Sequence, residues 1–161
     1  MRILPLLPTL LLTIVLIGCG ATKPTPTPQL NALLRQSVSS RRNPALGQRW
    51  LVSIVRRNNR ERVELIDLAR RVQVPLPGLN RVDSQPISVS INATGERIAL
   101  VSQRADRTEV VLYRRTTNSL QRIPLEPPGV PRAVSLDGAG RLLAVQVSRN
   151  GRWDVSLIPL P

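Results

Sequence analysis

One cysteine, one lysine and no histidine set the chemistry open to this chain of 161 residues. The absence of imidazole removes histidine general acid/base work, the Ser-His-Asp and Cys-His nucleophiles and nearly every zinc site. A hydroxyl nucleophile would still need a base, and Lys23 is the only lysine. Cys19, the sole thiol, has no partner for a disulfide within the chain. The ten carboxylates are Glu61, Glu64, Asp67, Asp83, Glu96, Asp106, Glu109, Glu126, Asp137 and Asp154, scattered through turns and strand faces. Glu109 and Asp154 recur at one position of an internal repeat, which allows a paired-carboxylate centre or, the reading preferred, arginine and backbone partners within each repeat. Asp137-Gly138-Ala139-Gly140 reads as a hairpin turn rather than a calcium loop, and no glycine loop precedes a helix to cradle phosphate. No catalytic residue, metal ligand or cofactor is expected, and an enzyme is not the expected class.

Arginine is the abundant reactive type. The chain carries 23 Lys+Arg against 10 Asp+Glu, a formal +13, and without residues 1–18 it carries 22 against 10, or +12. Arg57 and Arg60, Arg104 and Arg107, and Arg149 and Arg152 each frame a two-residue turn. They make a possible interaction surface for anionic lipid, acidic envelope glycan or an acidic protein, with an affinity that falls as salt rises. The alternative is arginine-rich composition at solvated hairpin tips. Nucleic acid is not the expected partner, because only Trp50, Tyr113 and Trp153 are aromatic and no base-stacking platform is present. Trp50 and Trp153 could stack on sugars but are more simply read as core or edge packing.

The first residues read as an address. From Ile3 to Ile17 the chain is almost wholly apolar, interrupted by Pro5, Pro8, Thr9 and Thr13, and it ends at Leu16-Ile17-Gly18-Cys19. A membrane span needs about 20 apolar residues, so a cleaved signal peptide over 1–18 is expected. Residues 19–29 follow as a tether in which Pro24, Pro26 and Pro28 alternate with threonine and favour extended polyproline II. Leu16-Ile17-Gly18-Cys19 resembles the lipobox of bacterial lipoproteins. That resemblance implies lipidation of Cys19 and attachment to the membrane through an N-terminal lipid, with inner or outer membrane left open.

The remainder repeats. A shift of 45 lays Pro86 on Pro131, Val89 on Val134, Ser90 on Ser135, Gly95 on Gly140, Ala99 on Ala144, Arg104 on Arg149 and Leu112 on Leu157. A shift of 47 lays Leu51 on Ile98, Ile54 on Val101, Arg57 on Arg104, Arg60 on Arg107 and Leu65 on Leu112. Three copies, at about 44–85, 86–130 and 131–161, thus span the region 44–161, at a period typical of a four-stranded propeller blade. Each copy predicts a short strand, a glycine turn, a strand apolar on both faces, a tight hairpin and an alternating strand. Outer strands are expected at Val72–Val74 and Leu120–Ile123, each stopped by a proline. The first copy lacks most of an obvious first strand between Pro44 and Gly47, and the third reaches Pro161 before an outer strand. Residues 30–43 form a linker or short helix, with Leu30 to Val38 either helical or a first strand.

Ser135-Leu136-Asp137-Gly138 through Ala144, then Arg149-Asn150-Gly151-Arg152-Trp153-Asp154-Val155, resembles the repeat of TolB-type propellers, and Ser90 to Ala99 with Asp106 to Tyr113 carries a second copy. Together with Leu76-Pro77-Gly78-Leu79-Asn80-Arg81 and the lipobox, this is similar to the short TolB-like envelope lipoproteins of cyanobacteria. The proline of the Ser-Pro-Asp-Gly motif is missing from both turns, and three copies are too few to close a ring. The resemblance implies an all-β fold of about three four-stranded blades, a partial or open β-propeller. It further implies a non-catalytic, lipid-anchored protein-interaction module of the Tol transport type on the periplasmic side of the envelope, with an envelope protein as partner. The alternative is a lipoprotein that captures acidic glycan or lipid through its arginine face.

Overall fold

The computed structural model describes residues 24–36 and 40–161. The signal segment 1–18 and Cys19 lie outside the described residues. Helix α1 (Pro28–Arg35) has proline in its first turn and buries none of its side chains. No helix of the described residues is long and apolar enough to cross a membrane.

Eleven strands follow, in three antiparallel sheets. The first sheet is β1 (Ser40–Leu46), β2 (Trp50–Arg57), β3 (Arg60–Asp67) and β4 (Val72–Val74), in chain order. The second is β5 (Ser84–Ile91), β6 (Arg97–Arg104), β7 (Arg107–Arg114) and β8 (Ser119–Ile123). The third has three strands, β9 (Val130–Leu136), β10 (Leu142–Arg149) and β11 (Arg152–Pro159). The first sheet therefore has a full first strand starting at Ser40. Pro44 disguised it in the sequence. It sits where the β1–β2 register shifts, beside Asn43 at φ 49°, and Pro86 and Pro131 stand at the matching irregularities of β5 and β9. Proline is tolerated there because a bulge on an open edge asks for no ladder N–H.

Chain order equals spatial order within each sheet, so each is a meander, and the first strand of the second and third sheets packs on the sheet before it. β5 packs on the first sheet and β9 on the second. Two cores result. Trp50, Val52, Ile54, Val63 and Leu65 meet Val89, Ile91, Ile98, Leu100 and Tyr113 between the first pair of sheets, with Leu79 plugged in from the β4–β5 loop. Ala99, Val101, Val110 and Leu112 meet Val134, Leu136, Leu143, Val145 and Val147 between the second pair. β6 supplies alternate residues to both cores, which is why it is apolar on both faces. The stack is an open arc of propeller blades.

Backbone bonds stitch the blades along one edge. Gln48 N–H donates to the Ala93 carbonyl (3.0 Å), and Ala93 N–H donates to the Gly138 carbonyl (2.9 Å). Each bond joins the turn after one blade's first strand to the same turn of the next. Gly95, at φ +75°, lies against the Trp50 ring so closely that a Cβ would come within 2.5 Å of it. Arg115 and Arg49 stand over the same ring, at 4.1 and 4.8 Å from its centre. Trp50 is thus a packing residue.

Candidate functional site

The arginine-framed turns become the ends of three equivalent hairpins. Arg57 pairs with Arg60, Arg104 with Arg107 and Arg149 with Arg152 as the last rung of β2–β3, β6–β7 and β10–β11. Positive φ in the turns (Asn58 49°, Asn59 60°, Ala105 52°, Asn150 50°, Gly151 77°) gives the twist these two-residue connections need. Because the blades stack in one sense, all three hairpins project from one edge, opposite the stitched turns. A groove of about 420 Å³ separates the first two, lined among others by Asn59, Arg60, Asp83 and Ala105. A second groove of about 460 Å³ separates the second and third, lined by Gln103, Thr108, Arg132 and Trp153.

The six arginines divide into structural and outward-facing roles. Arg149 is largely covered. Its guanidinium donates to the Pro127 carbonyl (2.9 Å) and Ser156 Oγ (2.9 Å), fastening the β8–β9 loop to the third blade. Arg104 pairs with Asp83 at 2.7 Å, and Arg57 reaches Glu64 at 3.4 Å. Arg60 donates to the Arg81 carbonyl at 3.3 Å. Arg107 and Arg152 point outward, 75% and 82% exposed, and among the described residues they pair with Asp106 (3.9 Å) and Asp154 (3.3 Å) respectively. The surface therefore centres on Arg107 and Arg152.

The repeat-equivalent carboxylates take arginine partners within their own blades. Glu109 lies 3.4 Å from Arg122, and Asp154 lies between Arg152 and Arg149. Asp137 serves its turn: Oδ1 accepts the N–H groups of Arg141 (2.6 Å) and Leu142 (2.9 Å). The Leu142 N–H bond is the main reason its carboxyl sits below the usual range. Asp67 does similar work. Burial alone would raise its carboxyl, but the Arg70 N–H, the Arg49 guanidinium (2.5 Å) and the Ala69 N–H together hold it low. Among the described residues no group of three or more His, Cys, Asp or Glu could hold a metal ion.

Sequence reasoning missed the residues that join one blade to the next. Arg42 reaches from β1 to the Ile87 and Pro86 carbonyls of β5 (2.8 and 3.0 Å) while clasping Glu61 (2.6 Å). Ser88 and Ser90 of β5 accept the N–H groups of Val134 (3.2 Å) and Leu136 (2.9 Å) of β9. In both cases side chains of one blade satisfy the open backbone edge of the next blade's first strand. The only available signal was the recurrence of serine at 90 and 135. Asn80 accepts the Val63 N–H (2.8 Å) and donates to the Val63 carbonyl (2.9 Å), extending the short β4 as an outer strand would.

A stack of antiparallel meanders, two of four strands and one of three, joined first strand to neighbouring face, defines a β-propeller segment. Solved β-propeller structures are similar to it in fold. The structure of TolB from Acinetobacter baumannii is similar over 76% of this chain and 30% of that one, with a TM-score of 0.58 and 14% identity. The β-propeller domain of the trilobed protease from Pyrococcus furiosus, described as having an open velcro topology, is similar over 76% of this chain and 39% of that one (TM-score 0.57, 12% identity). An acylaminoacyl peptidase from Pyrococcus horikoshii is similar over 70% of this chain and 18% of that one (TM-score 0.51, 14% identity). At these identities the likeness is one of fold, and the chain spans less than half the length of each. No family model and no curated protein sequence matches the chain.

Proposed function

We propose that this chain is a non-catalytic protein-interaction module of the cell envelope, held on the periplasmic side by lipid on Cys19. The observation that carries the reading is the edge on which three equivalent hairpins stand in a row with grooves between them. Such an array is a rigid comb of exposed backbone tips and side chains, suited to gripping an extended or loop-bearing partner rather than enclosing a small substrate. The TolB-like fold supports a Tol-type role, and the apolar segment ending at Cys19 supports the anchor. The decisive experiment is a crosslinked pull-down of the intact protein from native envelopes beside Cys19→Ser, with captured proteins identified by mass spectrometry. One envelope protein captured only by the lipid-anchored form is the expected result; indifference to Cys19 together with no retained protein overturns it.

A second reading is favoured by Arg107 and Arg152, which are exposed and only loosely paired. On this reading the hairpin edge holds acidic glycan or anionic lipid. Retention on an acidic polymer that disappears in moderate salt, and in Arg107→Ala/Arg152→Ala, would support it. Retention that survives both would exclude it.

A further inference from the structure

The second blade departs from its neighbours at a buried position, and a cleft lies against that position. Ser102 in β6 is 2% exposed, and the repeat shifts lay it on Val55 and Val147, which are buried as well. An apolar side chain therefore suits the blade at this place, and packing does not ask for the hydroxyl. Ser102 Oγ bonds to Ser84 Oγ of β5. Two hydroxyls carry two protons and spend one on each other, so one O–H donor is left for a further acceptor. Both serines line a cleft of about 290 Å³ on the side of the second sheet that faces the first. Leu79, Leu100, Val111 and Leu120 give the cleft an apolar wall, and Arg81, Arg104 and Arg122 stand around it.

The three arginines are held in place without being used up. Arg104 Nε donates to Asp83 Oδ2 (2.7 Å), Arg81 Nε donates to Asp83 Oδ1 (3.2 Å), and Arg122 Nε lies 3.4 Å from Glu109 Oε2. Each guanidinium meets its carboxylate through Nε, and among the described residues its Nη groups donate no hydrogen bond. The loop that delivers Arg81 and Asp83 is pinned. Asn80 bonds both backbone groups of Val63, Leu79 is buried, and Tyr113 Oη donates to the Pro77 carbonyl (3.0 Å). The donors are thus preorganised, which lowers the entropy that binding must supply. Set against Asp83 and Glu109, the three guanidiniums leave one positive charge in excess. We propose that this cleft binds a small monocarboxylate with an apolar body, the carboxylate on the Nη groups and the spare hydroxyl, the body on the apolar wall. Carboxylates suit guanidinium because two N–H groups can meet two oxygens. Glu109 opposes a dianion, and the volume stands at the small end of ligand pockets, too little for a polymer. Neither Arg107 nor Arg152 lines the cleft, so the inference rests on neither reading of the hairpin edge.

The test titrates hexanoate and benzoate into the isotope-labelled full-length protein and follows its amide signals by nuclear magnetic resonance. Signals around Ser102, Leu120 and Arg122 should move along saturable curves, whereas hexanol and inorganic phosphate at the same concentrations should not saturate. Arg122→Gln, at an exposed position, and Ser102→Val, which installs the residue of the other two blades, should each weaken binding about tenfold. Both variants should keep the circular dichroism spectrum and melting temperature of the wild type, and Arg107→Gln should bind as the wild type does. If neither acid saturates, if hexanol or phosphate binds as well as hexanoate, or if affinity is unchanged in Arg122→Gln and Ser102→Val, the inference is overturned. None of these outcomes depends on whether an envelope partner is captured through the hairpins.

Discussion

Ala105 holds left-handed backbone at φ +52° in the second hairpin, where the other turns use Asn or Gly. For an ordinary L-residue that conformation costs roughly 1–2 kcal/mol, so Ala105→Gly should raise the melting temperature by a few degrees, less what glycine adds to the freedom of the unfolded chain. A fall would mean that the methyl group is held by packing. Asp137 acts in the opposite sense. Its carboxyl is depressed by the Leu142 N–H above all, so the folded value lies below the unfolded one, near 3.9. Stability from this group is complete above that unfolded value and is lost as pH falls through the folded value. Urea midpoints of the wild type should drop more steeply below about pH 4 than those of Asp137→Asn; parallel curves would show that the turn does not depend on the charge. The turns themselves were legible because their signals are local: Asn150-Gly151 and Asp137-Gly138 fix backbone angles within four residues. That Arg149 is a largely covered strap while Arg152 faces solvent was not legible, since it depends on Pro127 and Ser156, distant or across the hairpin.

The strands were readable from apolar spacing, and the outer strands β4 and β8 from the prolines that stop them. β1 was hidden because Ser-Arg-Arg-Asn-Pro has no apolar alternation. It is a strand through its partners: it pairs with β2, and Arg41 and Arg42 bind acids of β3. Non-local polar pairing of this kind leaves no periodic trace. The same holds for Asn80, which stands in for outer-strand pairing at Val63. Asn80→Ala leaves a buried backbone donor and acceptor unmet and should cost about 1–3 kcal/mol, seen as a lower urea midpoint with unchanged slope. A loss well under this would mean that water replaces the side chain. The third sheet remains three-stranded, one strand short of the four expected for a blade.

Across the whole molecule, the number and order of the blades were legible from the 45- and 47-residue shifts, whereas the bonds from Arg42, Ser88 and Ser90 that cross between blades were not, because a repeat alignment does not show which side chains reach the next copy. The two cores share β6, so neither can empty without disturbing the second blade. Leu143→Ala in the second core should cost about 2–5 kcal/mol, a large part of the 5–15 kcal/mol usual for a domain, and unfolding should remain a single transition. Two resolved transitions would show that the blades melt separately. The clasp made by Arg42 has a mechanical meaning as well. If the chain is anchored through its threonine/proline tether as proposed, tension that passes the Arg71–Gln29 bond reaches β1, and it must break the bonds to Glu61, Pro86 and Ile87 before that strand can peel away. Those bonds tie the first blade to the second, so the load spreads beyond the blade it enters and the tether can strain without unravelling the stack from its end.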